Sequence, residues 1–292
     1  MRQIYVSKRN DRLGMRLYAV IRTIYYCQTK KLNYRHVSLS HNKKEYKIYN
    51  KLFNFNKKYK GIKYNKYAKY DNKIVINIGP TWECINKTYD NYKTKEYIKY
   101  RKSLINLYNE SSLYNNVYND KNINICIHYR RGDSKNYKKA KFKNINYIGG
   151  KLYTNKKKLK LRYTPDNYIN QIITKLNKYM NDLPLNIHIH SDSRLNMDKL
   201  LTRKHNFNIH THFQDSAYDS LNSMIQCDIL FRYGLSSFSG VAAFYNSNVV
   251  ISKIDNEFKG LYNYNNVYNF SKCGNILRKL ANKYKNIHQL AN

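Results

Sequence analysis

An α/β fold built on mostly parallel strands is predicted by three observations. Short runs rich in Ile and Val recur through the second half of the chain, at 122–129, 184–195, 228–234 and 248–252. Segments of helical apolar spacing stand between them, the clearest being PDNYINQIITKLNKYM at 165–180. Strands that alternate with helices favour parallel sheets, because a parallel neighbour needs a long crossover. The third observation is length: 292 residues suffice for two lobes, and a polar link falls near 115–121.

Taken in order, the first element is a strand at 3–7 (QIYVS). KRNDRLG turns the chain into MRLYAVIRTIYYCQTK (15–30), a helix with Leu17, Val20, Ile21 and Ile24 on one stripe. Gly14 stands at that junction, either letting the backbone approach a ligand closely or serving as a plain loop glycine. A second strand is predicted at 73–79 (KIVINIG), closed by Gly79-Pro80 and followed by Trp82 as a core anchor. The Lys-, Tyr- and Asn-rich chain between these strands is poorly periodic and reads as a decorated surface or as acceptor-facing loops. Tyr97, Tyr100, Leu104 and Leu107 mark helix faces within 86–119.

The strand at 122–129 leads towards the helix at 165–180, where Pro165 and Asp166 suit a first turn. Its Ile169, Ile172, Ile173, Leu176 and Met180 form a broad stripe. In 184–195 Ile187 and Ile189 alternate with His188 and His190. NFNIHTHF (206–213), DSAYDSLNSMIQC (215–227) and the strand at 228–234 continue the alternation. A helix at 238–245, a strand at 248–252 and an amphipathic helix at 276–290 complete it.

Bulk properties narrow the classes. Lys and Arg number 54 against 18 Asp and Glu, a net charge of +36, which favours a polyanionic partner. Lys runs occur throughout with Asn, Tyr and Ile, as in residues 50–73, so the whole vocabulary is biased and nucleic acid is the lesser reading. That bias fits a viral or unicellular eukaryotic origin. The five Cys at 27, 84, 126, 227 and 273 form no CxxC and read as buried free thiols of a reducing compartment. Arg16 and Arg22 interrupt the N-terminal apolar run, so neither a signal peptide nor a membrane span is expected, and a soluble, cytoplasmic protein is. In that setting Asn86-Lys87-Thr88 is a weak glycosylation match.

Three constellations carry chemistry. ICIHYRRGD (125–133) places His128, Arg130, Arg131 and Asp133 at or just beyond a strand end, where ligands of parallel sheets gather. Period two sets His128 and Arg130 on one side and Tyr129 and Arg131 on the other. An Arg fork donates two charge-assisted bonds to phosphate oxygens, and Asp133 can orient a guanidinium. A solvated basic turn or an adhesion-type Arg-Gly-Asp are the competing readings. In His190-Ser191-Asp192, Asp192 either accepts from a bound nucleotide or caps the next turn. In GLSSFSGVAAFY (234–245), Ser236, Ser237 and Ser239 open an apolar helix, and N-capping accounts for one hydroxyl better than for three. His188, His190, His210 and His212 repeat a spacing of two, but no HExxH or Cys pair accompanies them, and no metal is expected. P-loop and GxSxG motifs are absent.

Together and in order, these stretches resemble the fucosyltransferase superfamily that contains alpha-1,2, alpha-1,6 and protein O-fucosyltransferases, nearest to its alpha-1,2-fucosyltransferase-like (glycosyltransferase family 11-like) branch. HYRRGD (128–133) matches HxRRxD, and DRLGMRLYAVIRTIYY (11–26) is similar to the N-terminal GGLGNQxFQYA segment, with Gly14 at the central glycine. SLNSMIQCDILFRYGLSSFSGVAAFY (220–245) resembles the pattern in which Met and Cys precede SSFSWWAA. NQxFQ is replaced here by MRLYA, and the two Trp by Gly240 and Val241.

The resemblance implies a GT-B-like fold of two Rossmann-like lobes and inverting transfer of L-fucose from GDP-fucose to a glycan hydroxyl, with no strict metal requirement. It implies an acceptor-side lobe at 1–118, a nucleotide-sugar lobe at 119–270 and a closing helix at 271–292. His128 and Asp192 then fall near the guanosine, Arg130 at the diphosphate, and Ser236, Ser237, Phe238 and Ser239 around it, with Gly14 in a loop facing the cleft. Arg130, with Asp133 in support, carries the catalytic assignment, since a preformed Arg fork stabilises the charge growing on the departing GDP. The alternative is a basic nucleic-acid-binding α/β protein, or a transferase relative without activity.

Overall fold

The computed structural model describes residues 3–6, 13–37, 44–61, 74–77, 94–118, 121–130, 145–148, 151–154, 163–194, 196, 201–202, 205–213, 215–234, 236–253 and 266–290. Two compact units divide the chain: Met1–Asn116 with Gly240–Tyr245 and Gly260–Asn265, and Val117–Ser239 with Asn246–Lys259 and Asn266–Asn292.

In the first unit, β1 (Gln3–Val6) and β2 (Ile74–Asn77) pair in parallel, Gln3 opposite Ile74. Helix α1 (Leu13–Thr29) buries the expected stripe of Leu17, Val20, Ile21 and Ile24. It starts earlier than its periodicity predicts, because Leu13 lies one turn before Leu17 and is buried with it. Gly14 is therefore the second residue of a helix and not a loop glycine. Arg22, which interrupts the apolar run in sequence, is itself buried, its guanidinium donating to the Tyr18 hydroxyl at 2.8 Å.

The Lys-, Tyr- and Asn-rich stretch holds two unforeseen helices, α2 (Lys44–Phe53) and α3 (Phe55–Lys58). They bury Tyr49, Leu52, Phe53 and Phe55, and Asn54 between them takes the left-handed conformation with φ 50°. Helix α4 (Lys95–Asn109) opens on Thr94, whose hydroxyl accepts from the Tyr97 amide at 3.2 Å, and Tyr97 and Tyr100 pack on Tyr25 at ring distances of 5.0 and 5.1 Å.

The second unit is organised by β3 (Ile123–Tyr129), β6 (Leu185–Ser191), β7 (Asn208–Phe213), β8 (Ile229–Tyr233), β9 (Val249–Lys253) and β10 (Val267–Asn269). All neighbours are parallel, in the spatial order β10-β9-β8-β3-β6-β7. Numbered within this sheet by chain order and read from β7, that is 3-2-1-4-5-6, the Rossmann order, with its topological switch point between β3 and β8. The α/β, GT-B-like class with mostly parallel sheets is thus realised. The exception is an unforeseen antiparallel hairpin of β4 (Ile145–Ile148) and β5 (Lys151–Thr154).

The two faces of the sheet differ in chemistry. One carries Ile123, Ile125, Ile127, Ile187, Ile189, Ile229, Phe231 and Ile251. Helix α5 (Tyr168–Met180) lays its predicted stripe on this face, and α8 (Gly274–Leu290) adds Leu277 and Ala281. Pro165 and Asp166 precede α5 rather than forming its first turn, since the Tyr129 hydroxyl draws the Asp166 carboxylate to the sheet at 3.1 Å. The opposite face carries Asn124, Cys126 and His128, in register with Asn186, His188 and His190 and then with Asn208, His210 and His212. Helix α6 (Ala217–Gln226) lies between β7 and β8 in sequence, and the Tyr118 hydroxyl donates to its Ser223 carbonyl at 3.2 Å and lies 3.0 Å from Cys126 Sγ.

Helix α7 (Ser237–Tyr245) begins in the second unit and ends in the first. At its end the buried Arg101 donates through Nε to the Phe244 carbonyl at 2.7 Å, a cation against carbonyls left over at a helix C-terminus. Cys27, Cys126, Cys227 and Cys273 are free and buried, as expected. Gly79-Pro80, Trp82, Cys84 and Asn86-Lys87-Thr88 lie outside the described residues. Among the described residues, no helix is long and apolar enough to cross a membrane.

Candidate functional site

The C-terminal edge of the second unit's sheet presents one polar row. Ser252 pairs with Arg232, and His128 pairs with His190 and, beyond it, His212. Ile127 pairs with Phe231, so Arg232 and His128 extend neighbouring strands by one residue on either side of the switch point. The row arises because every second residue of β3, β6, β7 and β8 faces away from the apolar core.

Arg232 is the site residue that the motifs leave unmarked. It is fully buried and folds back on the turn after β8, donating through Nη2 to the carbonyls of Gly234 and Ser236, each at 3.3 Å, and through Nε to Ser239 Oγ at 3.5 Å. Gly234 has φ 59°, a left-handed conformation that a side chain would strain. A lone Arg in the apolar strand ILFRY, directly before Gly-Leu-Ser-Ser, is the signal from which it can be found.

His128 is buried, and its ring lies 6.0 Å from that of Phe238 in the first turn of α7. Burial, then the positive charges of Arg130 and Arg232, push its pKa down to about 3, so the ring is neutral at ordinary pH. Arg130 is half-buried, and its backbone is fixed by Thr164: the Arg130 amide donates to Thr164 Oγ1 at 3.1 Å and the Thr164 amide to the Arg130 carbonyl at 3.2 Å. Among the buried polar atoms along this edge, His128 Nδ1, His190 Nδ1, Ser236 Oγ and Ser252 Oγ make no hydrogen bond within the protein. Such atoms are few in native structures, and a cluster of them in one row marks a place for a polar ligand.

Of the residues singled out from sequence, His128, Arg130, Ser236, Phe238 and Ser239 therefore gather around Arg232, with Ser237 opening α7 beside them. Asp192 is exposed just beyond β6, and Gly14 belongs to the first unit. Arg131 and Asp133 lie outside the described residues. The cluster joins two cations, hydroxyls and the positive end of a helix, which suits an anion rather than a nucleophile. Separately, His190, His212 and Asp215 place one ligand atom each within 4.8 Å of one another, a juxtaposition that the alternating histidines only half announce.

No family model matches the chain, and no curated protein matches it. Among solved structures, likenesses are found to fucosyltransferases. The NodZ alpha-1,6-fucosyltransferase co-crystallized with GDP has 13% identity and a TM-score of 0.43, over 88% of this chain and 96% of that one. POFUT1 in complex with GDP-fucose has 11% identity and a TM-score of 0.38, over 87% of this chain and 73% of that one. An Arabidopsis thaliana FUT1 mutant in complex with GDP has 10% identity and a TM-score of 0.39, over 88% and 72%.

Proposed function

We propose that the chain transfers L-fucose from GDP-fucose to a glycan hydroxyl with inversion at the anomeric carbon. The observation that carries this reading is the convergence of Arg130, Arg232, the unsatisfied Ser236 hydroxyl and the start of α7 on the switch point of a Rossmann sheet. These groups come from two of the three stretches that resemble the fucosyltransferase superfamily. In the proposed reaction the acceptor oxygen attacks the anomeric carbon and loses its proton, while the bond to the diphosphate breaks and GDP leaves with its electron pair. Charge grows on the diphosphate as that bond lengthens, so fixed cations stabilise the transition state more than the bound donor. Arg130 meets the diphosphate, neutral His128 and Asp192 meet the guanosine, and Asp133 orients a guanidinium. Ser237, Phe238 and Ser239 line the diphosphate.

Calorimetry with GDP, GDP-fucose, ADP and UDP tests the donor assignment, comparing wild type with Arg130→Ala. The expected result is selective binding of GDP and GDP-fucose, weakened at least tenfold in the variant with thermal stability unchanged. A folded wild type that ignores guanine nucleotides overturns it. Transfer is then assayed first on acceptors that form an alpha-1,2 linkage. A chain that binds duplex oligonucleotides regardless of Arg130 belongs instead to the nucleic-acid-binding alternative.

A further inference from the structure

At the far side of the same sheet edge, the hydrogen bonds fix a sequence of proton positions that ends in a conflict. The Asn124 amide nitrogen donates to the Asn122 carbonyl at 3.0 Å, so its oxygen is the atom that faces His188 Nε2 at 3.2 Å. An oxygen acceptor requires the His188 proton on Nε2, which leaves Nδ1 of the neutral ring bare. His188 Nδ1 lies 3.1 Å from His212 Nε2, and accepts from it. Neutral His212 then has a bare Nδ1, and that atom lies 2.8 Å from the Asp215 carboxylate. Two lone pairs at that separation repel unless a cation stands between them. A proton shared with Asp215 or a metal ion fills that place.

His190 supplies the second half of the argument. Its ring stacks on His212 at 4.4 Å and 15°, its Nε2 faces Cys126 Sγ at 3.7 Å, and its buried Nδ1 has no hydrogen-bond partner. We propose that His190 Nδ1, His212 Nδ1 and an Asp215 carboxylate oxygen bind one Zn²⁺-like cation, with solvent completing the tetrahedron.

Two imidazoles and a carboxylate are a ligand set that suits zinc. Tetrahedral bonds of about 2.1 Å set ligand atoms roughly 3.4 Å apart, and one ligand atom of each residue already lies within 4.8 Å of the others, so binding draws the three together. The stacked rings must tilt out of parallel, because each lone pair lies in its ring plane. His188 and Asn124 form the outer chain that holds His212 in the right tautomer. Asp215, with its side chain 36% exposed, gives the ion its way in. His190 stands one strand spacing, about 5 Å, from His128 and His212 two, about 10 Å, and occupancy of the site requires no nucleotide.

The test uses chelator-treated full chain, free of nucleotide, titrated with Co²⁺. Visible absorption bands of tetrahedral cobalt are expected to saturate at one equivalent and to be bleached by Zn²⁺. Asp215→Asn and His212→Gln are each expected to weaken binding at least tenfold, and His210→Gln, at an exposed position in the next row, to leave it unchanged. No saturable spectrum at millimolar Co²⁺ overturns the proposal. So does equal affinity in all three variants, or equal loss in all three, since either indicates diffuse binding by histidines elsewhere. Asp215→Asn alters an exposed side chain, which separates loss of the ion from loss of the fold.

Discussion

Replacing Arg232 with Met removes the donor to the Gly234 and Ser236 carbonyls and to Ser239 Oγ while keeping most of the side-chain volume. Each buried acceptor left unsatisfied costs about 1–3 kcal/mol, so urea unfolding is expected to show a marked loss of stability together with weaker GDP binding. Arg232→Lys keeps the charge but not the fork, and is expected to recover stability only in part. A second expectation at this scale concerns acid. His36 and His128 are buried neutral rings, with pKa values pushed down to about 4 and about 3, in each case chiefly by burial. Below the unfolded value of about 6.5 the unfolded chain binds more protons than the folded one, so stability falls as pH drops from about 6.5 through about 4 to about 3. Unfolding free energies measured across that window check the sign, and His36→Gln is expected to flatten the upper part of the slope. His128 and Arg130 were legible because they sit in a motif at a strand end. Arg232 is marked in the sequence only as a lone Arg in an apolar strand, and its role shows only in the turn that folds carbonyls over it.

The elements were legible where period and burial agree. Helix α5 shows this, with every residue of its predicted stripe buried against β3, β6 and β8. Ile172→Ala in that stripe is expected to cost about 2–5 kcal/mol, the usual range for a large aliphatic truncated in a core, read by denaturant titration. Thr94→Ala removes the side-chain cap of α4 and is expected to cost about 1 kcal/mol, with nucleotide binding unchanged. Two kinds of element escaped. Helices α2 and α3 bury Tyr49 and Phe53 among lysines and asparagines, where four aromatic or aliphatic anchors are too few to raise a periodic signal. The β4–β5 hairpin joins NYI to KLY through Gly149-Gly150, a two-residue signal that lies inside a Lys-rich surround.

For the whole molecule, the net charge of +36 sets an electrostatic background against which a specific anion site must be distinguished. GDP presents one diphosphate, so its affinity is expected to change less than roughly tenfold between 50 and 200 mM salt. A duplex contacted by many lysines loses about 10³-fold or more over the same range. Parallel titrations at the two salt concentrations separate the readings: a steep slope for GDP, insensitive to Arg130, places it in the diffuse field and not at the switch point.

By itself the sequence determined the alternation of strands and helices, the apolar stripe of α5, the polar second face of β3, β6 and β7, and the positions of the three motifs. Those properties are local, set by spacing of 2.0 or 3.6 residues along the chain. Tertiary structure alone decided which strands become neighbours. Only the order 3-2-1-4-5-6 sets β3 beside β8, and so puts Arg232 beside His128 and Arg130, residues 102 or more positions apart in the chain. It also laid β6 against β7 in the register that stacks His190 on His212 next to Asp215. Register and strand order are chosen by the burial of whole faces, a sum over many residues that no short stretch contains.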